Sequence, residues 1–146
     1  LLLAAAGFEV DLFEHDTVIA ALLSDAVARA ADDPVLSAVV SRMHVHAGDS
    51  LAGMGSLPNS PHVVFLDPMF PGRSKSASVK KKFQLLHHLE QPCQDERALV
   101  DAAIGTGAVK IVIKRPVKGP YLAGAKPSYQ IAGKAVRYDV LVPPRA

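Results

Sequence analysis

The sequence of 146 residues contains little of what several classes of protein need. Its only cysteine is Cys93, which excludes an intrachain disulfide and a cysteine cluster for metal, and favours a reducing compartment, the cytoplasm. No apolar run approaches the roughly 18 residues of a membrane-spanning helix, so no membrane partner is expected. The opening LLLAAAG has no basic flank and no initiator methionine, which argues against a signal peptide and predicts a natural chain that begins upstream.

What is present is the composition of an ordinary globular domain. Hydrophobic residues make up 49% and charged residues 21% of the chain, which is enough for one domain, residues 1–146, with a core of its own. The net charge of +2 is too small to indicate a nucleic-acid partner by itself. The distribution of charge is more informative, because five basic residues lie in one short segment without an acid: Arg73, Lys75, Lys80, Lys81 and Lys82.

The order of secondary-structure elements predicts an α/β fold. Alternating or continuous apolar runs predict strands near residues 8–14, 43–47, 62–67 and 108–116, and a C-terminal antiparallel pair that turns at Gly133 and Lys134. Helical spacing predicts helices near 17–30, 76–89 and 95–104, and loops over 53–61 and 119–127. The run HVVFLD has the continuous apolar pattern of a strand covered on both faces. We therefore predict a doubly wound, mostly parallel sheet of the Rossmann-like kind.

Polar residues follow each predicted parallel strand. In doubly wound sheets, ligands bind outside the carboxyl ends of the strands, so these residues are expected to converge on one crevice. They are Glu14 with His15, Asp49 with Ser50, Asp67 to Phe70, and Lys114 with Arg115.

Two of these acids have an ordinary explanation beside the functional one. Glu14 is suited to accept hydrogen bonds from both hydroxyls of a ribose, or it is a solvated loop acid. Asp49 can accept a hydrogen bond from an adenine amine, but its setting in GDS favours an Asx-turn.

The segment DPMF carries the sharpest chemical signal. Asp67 can accept a hydrogen bond from an exocyclic amine, and Pro68, which lacks an N–H, leaves its carbonyl free to accept another. Met69 follows, and Phe70 offers a face on which a base can stack. The alternative is a turn at a strand end with a buried phenylalanine.

The basic residues and the histidines also have ordinary explanations. Three adjacent lysines fan around a helix and are usually a solvated face, but Arg73 and Lys75 beside DPMF favour contacts with phosphate. His44 with His46 and His87 with His88 do not make a persuasive metal site, so no metal is expected. Cys93 has no identified base and is expected to be structural.

Four blocks of the sequence resemble the RsmJ-type ribosomal RNA guanine-N2 methyltransferases. In chain order they are FEHDTVIAALLSDAVARA, HAGDSL, VVFLDPMFPGRSKSASVKKK and VIKRP. The resemblance runs from about Leu2 to the final strands, and its LDPMFP block is specific to that family. The shorter Asp-Pro-x-Phe pattern is shared with other enzymes that methylate amino groups of bases, in which a second proline stands where this chain has Met69.

The resemblance implies an S-adenosylmethionine-dependent methyltransferase that acts on the N2 amine of a guanine in small-subunit ribosomal RNA or the assembled subunit. Asp67, Pro68, Met69 and Phe70 would form the catalytic loop, with Asp67 also beside the cofactor. Glu14 and His15 would lie at the cofactor ribose, and Asp49 and Ser50 near its adenine. The basic side chains would hold the RNA backbone: Arg73, Lys75, Lys80, Lys81, Lys82, Lys114 and Arg115. The first strand and the glycine-rich cofactor loop of that family have no counterpart here, so this segment alone is expected to be inactive.

Other functions remain open from the residues. One is an amino-methyltransferase that acts on another base or on DNA, and another is a nucleic-acid-binding segment without catalysis. A nicotinamide-dependent dehydrogenase fits Glu14 but leaves DPMF and the basic segment unexplained.

Overall fold

The computed structural model of the protein describes residues 1–68 and 95–144. The predicted helix over 76–89, Met69, Phe70, Cys93 and the basic residues between Arg73 and Lys82 lie outside the described residues. By its internal contacts the chain divides into two compact units, Leu1–Gly53 and Met54–Ala146. The expectation of one domain over all 146 residues stays a prediction.

The first unit is built on a pair of parallel strands. It contains α1 (Leu2–Ala5), β1 (Val10–Glu14), α2 (Thr17–Ala31), α3 (Ser37–Val40), β2 (Met43–Ala47) and the start of α4 (Ser50–Gly55). The strands pair in register from Val10 with Met43 to Glu14 with Ala47, so both end at the same edge. The helix α2 begins close to the predicted position, with Asp16 as its cap: Asp16 Oδ1 accepts hydrogen bonds from the backbone N–H of Val18 at 2.8 Å and Ile19 at 3.0 Å.

The second unit is a mixed four-stranded sheet. It contains β3 (Val63–Leu66), α5 (Glu96–Gly105), β4 (Lys110–Pro116), a 3-10 turn (Leu122–Gly124), β5 (Tyr129–Ala132) and β6 (Val136–Leu141). The strand order is β3-β4-β6-β5, in which β3 and β4 are parallel and the other neighbours are antiparallel. The predicted C-terminal antiparallel pair is therefore confirmed, and β6 also joins that pair to the parallel strands.

The core of the second unit lies on one face of its sheet and on α5. Asp95 begins α5, and its Oδ1 accepts a hydrogen bond from the backbone N–H of Ala98 at 2.8 Å. The helix buries Leu99, Val100 and Ala103. On that face the sheet contributes a buried apolar set that comprises Val64, Leu66, Ile111, Ile113 and Leu141, while Val140 is buried on the opposite face.

Two details of the predicted elements are wrong. The strand β3 is not covered on both faces, because Val64 and Leu66 are buried while Val63 is 50% and Phe65 is 48% exposed. The loop predicted to begin at Gly53 begins only after Gly55, because residues up to Gly55 belong to the short helix α4. The first hydrogen bond of α4 runs from the N–H of Gly53 to the carbonyl of Asp49, at 2.9 Å. Within residues 1–68 and 95–144, no helix has the length and apolar character needed to cross a membrane.

Candidate functional site

Glu14 occupies the strand end at which a ribose-binding acid was predicted. Its side chain is half-buried, and its Oε1 accepts a hydrogen bond from the backbone N–H of Asp16 at 2.8 Å. The carbonyl of Glu14 accepts a hydrogen bond from the N–H of Gly48 at 2.9 Å, which ties the residues after β1 to those after β2. The turn thus orients one oxygen of the carboxylate, and Oε2 accepts no hydrogen bond from any residue in the described ranges.

Asp49 lies at the same edge, two residues beyond the end of β2. Its Oδ1 accepts a hydrogen bond from the N–H of Leu51 at 3.0 Å, which is the Asx-turn that its sequence favours. Ser50 is the first residue of α4, and His15 is exposed. The structure thus brings Glu14, His15, Asp49 and Ser50 to one edge of the first unit.

Asp67 and Lys114 meet in the second unit. Lys114 Nζ donates to Asp67 Oδ2 at 2.6 Å, and the two side chains are 34% and 46% exposed, respectively. Because Leu66 lies opposite Ile113 in parallel strands, the next residue of each strand is brought side by side. The sequence placed both residues at strand ends but did not predict this pairing.

Arg115 was predicted to contact RNA, but its side chain lies in the interior of the second unit. Side chains alternate between the faces of a strand, so Lys114 and its neighbour Arg115 point to opposite faces of β4. Arg115 is only 4% exposed; its Nε donates to the carbonyl of Pro120 at 2.9 Å, and its Nη1 lies 3.8 Å from Glu96 Oε1. Burial, partly offset by the charge of Glu96, lowers the pKa of Arg115. Arg115 therefore contributes to the packing of the second unit, and its burial argues against a contact with RNA.

The other predicted residues are only partly described. The ring of Pro68, directly after Asp67, is buried. Met69, Phe70, Arg73, Lys75, Lys80, Lys81 and Lys82 lie outside the described residues, and their roles stay predictions. Convergence of the first unit's acids with Asp67 on one crevice also stays a prediction.

Arg137 and Asp139 form a buried charge pair that supports the loop after β4. The sequence did not predict this pair. Arg137 and Asp139 are 7% and 2% exposed. Burial alone would raise the pKa of Asp139, but hydrogen bonds from Arg137 and Gln130 and the nearby positive charges outweigh it and lower that pKa. The available signal was the spacing of Arg137 and Asp139, two residues apart in a strand, which places both on one face.

The described residues contain no group of three or more side chains able to hold a metal ion.

Comparison with known proteins gives the family. The model of a family described as "Putative SAM-dependent methyltransferase" matches residues 1–143. The ribosomal RNA small subunit methyltransferase J of Pseudomonas savastanoi pv. phaseolicola is 42% identical over 139 residues, which are 94% of this chain and 52% of that protein. Its counterpart from Neisseria meningitidis serogroup C is 41% identical over 144 residues, 97% of this chain and 58% of the relative.

The solved structures include a similar fold. A SAM-dependent methyltransferase from Neisseria gonorrhoeae superposes with a TM-score of 0.79 at 34% identity, covering 99% of this chain and 57% of that one. This match and the strand pairing confirm the predicted α/β fold, with the parallel pairs β1–β2 and β3–β4 and a C-terminal antiparallel pair. The chain spans about half the length of the curated relatives it matches. The resemblance seen in the four sequence blocks is confirmed, and the chain belongs to this family of SAM-dependent methyltransferases.

Proposed function

We propose that the protein containing this chain transfers a methyl group from S-adenosylmethionine to the exocyclic N2 amine of a guanine in small-subunit ribosomal RNA. The observation that supports this most directly is the position of Asp67. Its carboxylate directly follows a parallel strand, is partly exposed and precedes a buried proline. Relatives that share about 42% of the sequence are named small-subunit ribosomal RNA methyltransferases. A ribosomal substrate places the reaction in the cytoplasm.

The first unit has a carboxylate suited to the cofactor's ribose. Glu14 is half-buried at a strand end, and a backbone N–H holds its Oε1 while Oε2 is left without a donor from the described residues. A carboxylate held in this way fits a pair of ribose hydroxyls. His15 and Ser50 would lie beside it, and Asp49, whose Oδ1 is held by the Asx-turn, would offer Oδ2 to the adenine amine. When bound, S-adenosylmethionine supplies an electrophilic methyl group.

The proposed role of Asp67 follows from the chemistry of the amine that receives the methyl group. The lone pair of a guanine N2 amine is delocalised into the ring, so the amine is a weak nucleophile. In our proposal the Asp67 carboxylate and the Pro68 carbonyl each accept a hydrogen bond from one N–H of this amine. This favours a more tetrahedral nitrogen and stabilises the positive charge that develops there. Much of the remaining rate gain comes from alignment.

The remaining parts of the proposal rest on the resemblance. Phe70 would stack on the guanine and Met69 would complete the loop, and a guanine in a helix would have to be flipped out of its stack. The RNA backbone would be held by Arg73, Lys75, Lys80, Lys81 and Lys82. By the same resemblance, Asp67 would also contact the cofactor.

The test uses the full-length protein as its source organism encodes it. Asp67→Ala should lower methyl transfer to small-subunit ribosomal RNA by about a hundredfold or more, since it removes an acceptor aimed at developing charge. RNA affinity should stay close to that of the wild type. Asp101→Ala is a matched control, because this exposed acid in the same unit pairs only with Arg97 among the described residues. Turnover in Asp67→Ala equal to that of Asp101→Ala would overturn the assignment of Asp67.

Mapping the methylated nucleotide decides between the alternative substrates. Methylation at a guanine N2 supports the proposal. A methyl group on another base or on DNA would assign a different amino-methyltransferase. RNA binding without methyl transfer by the full-length protein would assign a binding module without catalysis.

A further inference from the structure

We propose that Lys114 is a positioning residue for Asp67, not a contact for the RNA backbone. It would hold Asp67 Oδ2 so that Oδ1 is presented to the guanine amine. This inference rests on the proposed function, because it assigns Lys114 a task in that same site.

The strand register fixes the two residues next to each other. Leu66 and Ile113 are partners in the parallel ladder of β3 and β4, and Asp67 and Lys114 are the residues that follow them. The short 2.6 Å contact therefore joins two side chains whose backbones are anchored by the same ladder. Such a pair is held together by the fold rather than by its own weak attraction.

The ammonium group of Lys114 is already engaged. On the edge of β4 away from β3, Lys114 lies opposite Tyr138 of β6. The side chain of Lys114 is only 34% exposed. A phosphate contact would require Lys114 to leave Asp67 or to share its charge between two anions. By contrast, Lys110 lies on the same face of β4, is exposed and forms no ion pair with any residue of the described ranges.

Lys114 has two opposite effects on Asp67. Its positive charge weakens Asp67 as an acceptor, but both side chains are partly exposed, so this electrostatic effect is small. The same bond limits rotation of a carboxylate at a strand end, and misplacement of a reacting group by about 1 Å can cost on the order of a hundredfold in rate. Orientation should therefore dominate, and the loss of Lys114 should slow catalysis.

Three variants of the full-length protein test this. Lys114→Met should lower kcat for methyl transfer by about tenfold. This loss lies between the small effect of removing a surface ion pair and the effect of a full misplacement of the reacting group. Lys114→Arg should recover most of that loss, because a guanidinium can also donate to Oδ2. Lys110→Met, matched in strand and face, should leave kcat unchanged. The dissociation constant of RNA and its dependence on salt should be the same in all three variants.

The outcomes are distinguishable from a failure of the proposed function. If the wild type methylates no small-subunit ribosomal RNA, the proposed function fails. If the wild type is active, two results would overturn the positioning role alone. One is unchanged kcat in Lys114→Met. The other is weaker RNA binding with a shallower salt dependence, which would assign Lys114 to a phosphate.

Discussion

Arg137 and Asp139 form a two-point ion pair on the buried face of the second unit. Arg137 Nε lies 2.9 Å from Asp139 Oδ1, and Nη2 lies 3.0 Å from Oδ2. The third nitrogen, Nη1, donates to the carbonyls of Pro116, Val117 and Gly119 at 3.0, 2.8 and 2.8 Å. One guanidinium therefore fastens β6 to the turn that follows β4, the strand that carries Lys114.

Removing Arg137 should strongly destabilise the fold. Arg137→Met leaves Asp139 charged and buried without its main partner, and it frees three carbonyls. Breaking a buried pair in this way costs about 3–5 kcal/mol. The free energy of unfolding, measured in guanidinium chloride, checks this.

Arg97→Gln is the control for that experiment. Arg97 pairs with Asp101 at 2.8 Å on α5, one helical turn away, and the side chains of both residues are largely exposed. Exposed pairs of this kind contribute little, so no measurable change in unfolding is expected. Equal losses in the two variants would contradict the importance that we assign to burial.

The stability supplied by Asp139 should depend on pH in a definite direction. Its pKa is lower in the folded protein than the ordinary value of 3.8, so folding favours the ionised form. That contribution is fully present above the unfolded pKa and is lost as pH falls through the folded pKa, below about pH 4. The difference in unfolding free energy between the wild type and Asp139→Asn should therefore be constant from pH 7 to 5 and shrink in more acidic buffers. A difference that does not change with pH would contradict the lowered pKa.

The sequence predicted the described elements that have clear local signals. Asp16 and Asp95 each begin a helix at the predicted place, and the turn after Ala132 joins two antiparallel strands. The helices α1 and α3 are four residues long, too short to produce a periodic pattern, and were not predicted. Local rules succeed where the decisive hydrogen bonds are local.

The site was predicted less completely, for a physical reason. Glu14 and Asp67 were found because strand ends can be located from apolar runs. Arg115 was grouped with Lys114 because they are adjacent and basic, although adjacent strand residues face opposite ways. The ion pair of Asp67 with Lys114 depends on strand register, which one sequence does not specify.

The first unit contains a close contact that a single methyl group would break. The ring of Phe13, stacked on His46 with centroids 4.8 Å apart, lies directly against Gly53 of α4, where a Cβ would overlap it. Gly53→Ala should cost about 1–3 kcal/mol of unfolding free energy, as overpacking does. Gly55→Ala, at the end of the same helix and with no described residue close to the position of its Cβ, should be neutral or slightly stabilising. Thermal and denaturant unfolding measure the stability of both variants. Equal stability of Gly53→Ala and Gly55→Ala would contradict this packing.

A substitution of Glu14 should separate cofactor binding from catalysis. In the full-length protein, Glu14→Ala should weaken S-adenosylmethionine binding by about ten- to a hundredfold, since it removes hydrogen bonds from a charged acceptor. Glu9→Ala is the control, because that exposed acid lies just before β1 and pairs with His44 at 3.2 Å. Titration calorimetry measures both affinities without depending on turnover. Equal affinities in the two variants would mean that Glu14 does not hold the ribose and would return it to the role of a solvated loop acid.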